Sequence, residues 1–130
     1  MTTLTTAPAD IAEVLDALDA QCEDYQSMHR EALRQRDSLR GDDMDALNQA
    51  TARIRRLMDR VRQRHGTLPQ LSELERSHPE VAQRTDVLRR TIRAILDLRE
   101  ESEQSARTML EETRVQMRRV GRGRQASRGY

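Results

Sequence analysis

Apolar residues recur along most of this chain at intervals of three and four positions. That interval is the spacing of one face of an α-helix, because 3.6 residues complete a turn. One such stripe runs through residues 11–39, a second through residues 44–61, and a third and longer one through residues 81–120. The pattern therefore predicts three amphipathic helices.

Start and stop signals place the three helices at about residues 10–40, 43–65 and 79–120. Asp10 is predicted to cap the first helix, and Gly41 to end it with a positive φ. The link to the second helix is a residue or two, which is short enough to force an antiparallel hairpin. Residues 66–79 form a connector with room for a turn of helix.

These elements predict an all-α fold in which an antiparallel helical hairpin is joined by a long third helix. The arrangement is that of a three-helix bundle or a coiled coil. We expect a single helical domain over residues 10–120. A flexible N-terminus, residues 1–9, precedes it, and a mobile basic tail, residues 121–130, follows it.

The third stripe is uneven along its length. Branched aliphatic residues fill it from Val81 to Leu98, and this half is predicted to dock on the hairpin. Ser102 and Ser105 then interrupt it, because serine buries little apolar surface. The stripe resumes at Met109, so we expect the distal half of the helix to project past the hairpin and to need a partner.

Composition limits the core and the class of protein. Of 130 residues, 35% are apolar and 35% are charged, and Phe and Trp are absent. Such a chain suits narrow helical stripes and not a β-sandwich or a Rossmann domain. The sequence has no apolar run long enough to span a membrane, no secretory signal and a single cysteine. We therefore expect a cytoplasmic protein.

Charge is segregated although the formal net charge is +1. Residues 1–50 carry a net charge of -7, and residues 51–70 carry +5. This contrast predicts that the first two helices pair through opposite charges. Residues 113–130 contain six Arg and no acid.

The sequence gives little support for catalysis. His29, His65 and His78 lie in different elements, and no histidine has the spacing of a metal site. Cys22 lies on an apolar stripe, as a small buried residue does. The chain has no lysine and thus no phosphate-binding loop. We predict that the protein is not an enzyme and holds no metal or cofactor.

Two arginine clusters, one in the second helix and one in the tail, raise the alternative of nucleic-acid binding. The near-neutral net charge and the lack of stacking aromatics disfavour it. If the chain binds nucleic acid, the arginine-rich tail is the expected site.

The order of these features resembles the FlgN family of flagellar export chaperones. The resemblance covers residues 10–130 and includes the Gly-Asp-Asp-Met-Asp-Ala-Leu turn at residues 41–47, a second helix ending near Leu68, and a basic tail ending at Tyr130. The remaining family-like positions form the stripe of the first helix: Val14, Leu15, Leu18, Tyr25, Leu33 and Leu39.

The resemblance implies a cytoplasmic chaperone for type III flagellar export. It would bind the C-terminal helical segments of the hook-filament junction proteins FlgK and FlgL, prevent their premature assembly and deliver them to the export gate. A late amphipathic helix with methionines suits such helix-in-groove pairing. The predicted client face consists of Met109, Leu110, Thr113, Met117 and Val120, and Tyr130 is the predicted contact with the gate.

The sequence is also compatible with two other classes of function. One is a structural coiled-coil adaptor, such as a secretion-stalk protein like FliJ or a helical homo-oligomer. The other is the arginine-rich nucleic-acid-binding protein considered above. The break at residues 66–79 argues against a two-helix stalk.

Overall fold

The computed structural model describes the backbone of residues 8–66 and 68–128, with side chains from residue 11 to residue 123 except residue 67. Regular secondary structure within these ranges is entirely helical, which confirms the predicted all-α class. The helices are α1 (Pro8–Arg40), α2 (Met44–His65), α3 (Leu71–Ser77) and α4 (Pro79–Arg128).

Helix α1 is the element on which the others depend. It packs against both α2 and α4, whereas α2 and α4 have no Cα atoms within 8 Å of each other in the described chain. α3 packs against α4. α2 runs antiparallel to α1, and α4 runs parallel to it, since Arg84 pairs with Asp19 in the first half of α1 and Glu101 with Arg40 at its end.

The apolar core lies where α1, α3 and α4 meet. Leu18 of α1 and Val81 of α4 are fully buried, and Leu74 of α3 closes the cluster. Val14 and Leu88 complete it. Full burial of a side chain of this size stabilises the fold by about 1.5–3 kcal/mol, so the cluster holds α4 firmly to α1.

The interface between α1 and α2 contains buried charge. Asp24 is 7% exposed and accepts hydrogen bonds from Arg60 and Arg64, each at 2.9 Å. Glu31, also 7% exposed, lies 3.5 Å from Arg53. These contacts confirm the prediction that the first two helices pair through opposite charges.

The link between α1 and α2 corrects one prediction. Gly41 does not adopt a positive φ; the left-handed residue is Asp42, with φ 53°. The amide of Asp43 donates to the carbonyl of Ser38 at 2.9 Å, and that of Asp42 to Leu39 at 3.3 Å. This is the Schellman pattern, and it requires left-handed backbone at the residue after the cap, which is Asp42.

The helix boundaries differ from the prediction at three places. α1 begins at Pro8, so the prediction of Asp10 as its cap is wrong; proline fits the first turn, where its missing N–H costs nothing. α3 occupies much of the predicted connector. α4 continues past the predicted end near Gly121 to Arg128. Glycine ends a helix where the backbone turns left-handed, and Gly121 has no positive φ; inside a helix it costs only about 1 kcal/mol relative to alanine. Residues 1–7 and 129–130 lie outside the described residues.

The turn makes a testable prediction that separates Gly41 from Asp42. Asp42→Gly should raise the free energy of unfolding by up to about 1 kcal/mol, because glycine has no β-carbon to disfavour this φ. Asp42→Ala should lower it by a similar amount, because alanine keeps the β-carbon and loses the short polar side chain that lets aspartate adopt left-handed backbone. Gly41→Ala should have the smaller effect. Urea denaturation of the three variants measures these changes, and a larger loss for Gly41→Ala than for Asp42→Ala would contradict the observed turn.

The charged interface makes a second prediction. Asp24→Asn should lower the free energy of unfolding by about 1–3 kcal/mol, because Arg60 and Arg64 lose their charged acceptor in a largely buried position. Asp16→Asn is the matched control, since Asp16 is exposed and forms no ion pair among the described residues. Thermal and urea unfolding should separate the two variants; equal losses would show that Asp24 acts as an ordinary surface acid.

Candidate partner-binding surface

Helix α4 is much longer than the helices beside it. Arg40, the last residue of α1, lies 2.5 Å from Glu101 of α4. From residue 102 to residue 128 the helix continues for about 40 Å at 1.5 Å per residue. We call residues 102–128 the distal segment.

The first part of the distal segment still lies beside the link between α1 and α2. Met109, Ser105 and Gln104 face Leu39 and Asp42 across a shallow groove. Met109 is 36% exposed. This predicted site residue therefore borders the link and is partly covered by it.

Beyond this groove, apolar side chains of the distal segment are well exposed. Leu110 is 52% exposed, Met117 70% and Val120 54%. Thr113, also exposed, donates its hydroxyl hydrogen to the carbonyl of Met109 at 2.9 Å. We call Leu110, Thr113, Met117 and Val120 the distal stripe. Tyr130, the predicted gate contact, lies outside the described residues.

The members of the distal stripe are spaced by three, four and three residues, which is the spacing of a coiled-coil seam. Ala106 extends this seam by one further position toward the N-terminus. Arg107 and Arg114 lie at the positions that flank such a seam on one side. The surface that the distal segment offers is therefore an apolar line with a basic edge.

The polar gap at Ser102 and Ser105 behaves differently from the prediction. Both serines are half-buried, and Ser102 Oγ is buried without a hydrogen-bond partner among the described groups. Contact with α1 therefore continues through the gap. Small side chains leave little apolar surface to bury, but they allow close approach of a neighbouring helix.

A second surface, between α1 and α2, was missed by the sequence reasoning. Arg30 and Arg34 of α1 face three arginines of α2, namely Arg53, Arg56 and Arg60, across a groove. We call it the arginine groove. Spacings of three and four in α2 could have indicated a common face, but the sequence does not show which helix lies opposite.

The described residues offer no other chemical centre. No group of three or more His, Cys, Asp and Glu residues within these ranges is arranged to hold a metal ion. Among the described helices, none combines the length and apolarity needed to cross a bilayer. The exposed stripe and the arginine groove are therefore the surfaces to which a function can be assigned.

The chain matches no protein-family model, and neither the curated proteins nor the solved structures compared with it gave a match.

Cys22 lies on α1 beside α4. Its Sγ is 3.7 Å from the carbonyl oxygen of Arg84, to which it donates. Burial raises the pKa of the thiol, the charge of Asp19 raises it further, and Arg84 partly opposes both effects. A raised pKa lowers the thiolate fraction, which is the reverse of what a nucleophilic cysteine needs.

We predict slow alkylation of Cys22 in the folded protein. At pH 8 iodoacetamide should react with it several-fold more slowly than with the urea-unfolded chain, because both burial and the raised pKa suppress attack. Because its pKa is raised in the folded protein, the thiol ionises at a lower pH in the unfolded chain. The free energy of unfolding should therefore fall as the pH rises above about 8.5. A folded-state rate equal to the unfolded one would contradict the burial of Cys22.

Proposed function

We propose that this protein is a non-enzymatic, cytoplasmic export chaperone of the FlgN type. On this proposal the α1–α2 hairpin and the proximal half of α4 are the folded support, and the distal segment captures a helical client. The clients would be the C-terminal helical segments of hook-filament junction proteins similar to FlgK and FlgL, held until they reach the export gate.

The observation that carries the proposal is the exposure of the distal stripe. Leu110, Met117 and Val120 are each more than half exposed, and no helix of the described chain packs over them. An exposed apolar surface such as the distal stripe lowers the solubility of a protein unless a binding partner buries it. Its heptad spacing matches one partner helix lying along it.

The residue types of the stripe fit a chaperone better than a permanent assembly. Met109 and Met117 carry flexible thioethers, which adapt to partners of different shape. A client segment that becomes helical on the distal stripe would lose conformational entropy, and this cost would offset part of the favourable binding free energy. The complex would then be weak enough to release its client. Release is what an export chaperone requires when its client enters the export apparatus.

Self-association through the same stripe is the structural alternative, and the charges beside the stripe weigh against it. In an antiparallel pair centred on Thr113, Arg114 of one copy would lie close to Arg114 of the other. Arg107 would then face residue 119, another arginine, and gain no acid. A client whose flanking positions are acidic avoids this repulsion.

The test is a charge placed in the stripe. Met117→Arg should weaken binding of a FlgK C-terminal helical fragment by about 10–100-fold, because a guanidinium replaces an apolar contact in the covered line. Leu96→Arg is the matched control: Leu96 is 50% exposed on the same helix but lies outside the distal segment. Calorimetry with purified proteins measures both affinities, with circular dichroism to verify that each variant is folded.

Equal affinities for the parent chain and Met117→Arg, or equal losses in both variants, would contradict the proposed client face. Sedimentation of the protein alone addresses the adaptor alternative, which predicts a dimer or larger oligomer that Met117→Arg dissociates. Retention on duplex DNA at physiological salt would favour the nucleic-acid alternative.

A further inference from the structure

We propose that the arginine groove between α1 and α2 is a second binding site, and that its ligand is a short acidic segment of a protein. The groove lies on the hairpin and shares no residue with the distal stripe. This inference therefore stands whether or not the client face is correct.

The charge balance of the groove is the first step. Its lining consists of Ser27, Arg30, Glu31, Arg34, Arg53, Arg56, Leu57, Asp59 and Arg60. Five guanidinium groups thus face two carboxylates. A surface with this excess attracts carboxylates or phosphates, and guanidinium groups bind both in forked geometry.

Two of these arginines are not neutralised within the chain. Arg56 forms no ion pair among the described residues, and Arg30 donates to the hydroxyl of Ser27 at 3.0 Å and not to a carboxylate. They lie on opposite walls of the groove, Arg30 on α1 and Arg56 on α2. An anion between the two helices would meet a cation from each side.

The remaining arginines are held in place by acids. Glu31 is largely buried and pairs with Arg34, while Arg53 lies 3.5 Å from its other oxygen, which has no hydrogen bond among the described groups. Asp24 holds Arg60 at 2.9 Å. These ion pairs fix several guanidinium groups before a ligand arrives, which lowers the entropy cost of binding.

The dimensions of the groove favour a peptide over a nucleic acid. Its walls extend over residues 27–34 of α1 and 53–60 of α2, a length of about 10 Å. No aromatic side chain lines it, so it offers no platform for a base. Glu31 and Asp59 would repel a dense row of phosphates, whereas a segment with two or three carboxylates can meet the unpaired arginines and avoid both acids.

The test uses a fluorescently labelled glutamate octapeptide as the probe. Arg30→Glu combined with Arg56→Glu should weaken its binding by about tenfold or more at low salt, because two attractive contacts become repulsive. Arg55→Glu combined with Arg62→Glu is the matched control. Both control residues are exposed on α2, lie outside the groove and form no ion pair among the described residues, and the change in net charge is the same.

Fluorescence anisotropy gives the affinities, and backbone amide resonances locate the bound probe. We expect the control to change affinity by less than about twofold and the shifted resonances to include Ser27 and Asp59. Equal losses in both double variants would overturn the proposal, because the probe would then sense net charge alone. Tighter binding of a duplex oligonucleotide, lost in Arg30→Glu with Arg56→Glu, would assign the groove to nucleic acid and also overturn it.

Discussion

The packing of α1 against two different helices is the constraint on which the rest of the structure depends. Leu18 faces α4 and Asp24 faces α2. They are six positions apart, which is about 120° around an α-helix. Faces this far apart hold α2 and α4 away from each other, as observed. The molecule is thus organised around one shared helix and not around a common centre.

The two faces of α1 differ in how far charge enters the buried contact. Toward α4 the contact is apolar and buries Leu18 and Val81 completely, which stabilises without demanding particular partners. Toward α2 the contact buries Ala50 and Val61 and also places Asp24 among arginines, and these charge pairs specify the pairing. A chain poor in large apolar residues can therefore fold with a thin core. The arginines without an ion pair in the groove, Arg30 and Arg56, lie on the hairpin, and the well-exposed apolar side chains of the distal stripe lie on the distal segment.

Sequence periodicity located the helices because burial on one side of a helix repeats every three or four residues. Local backbone geometry was harder to predict. Glycine is the usual left-handed residue, yet the hydrogen bonds of the turn assign that role to Asp42. Gly121 looked like a helix end, but it lacks the left-handed turn that ends one. Ser102 was expected to mark a gap in packing, and it is instead half-buried in continued contact.

The sequence by itself determined the all-α class, the main helices, the opposite charges of α1 and α2, and the apolar line at residues 110–120. Each of these follows from patterns within one helix or from net charge. The tertiary structure alone decided which arginines are neutralised and which face the open groove. It also decided how far α1 and its link to α2 pack along α4, so that Met109 is partly buried and Met117 is exposed. Both depend on residues far apart in the chain, and periodicity within a helix carries no information about its neighbours.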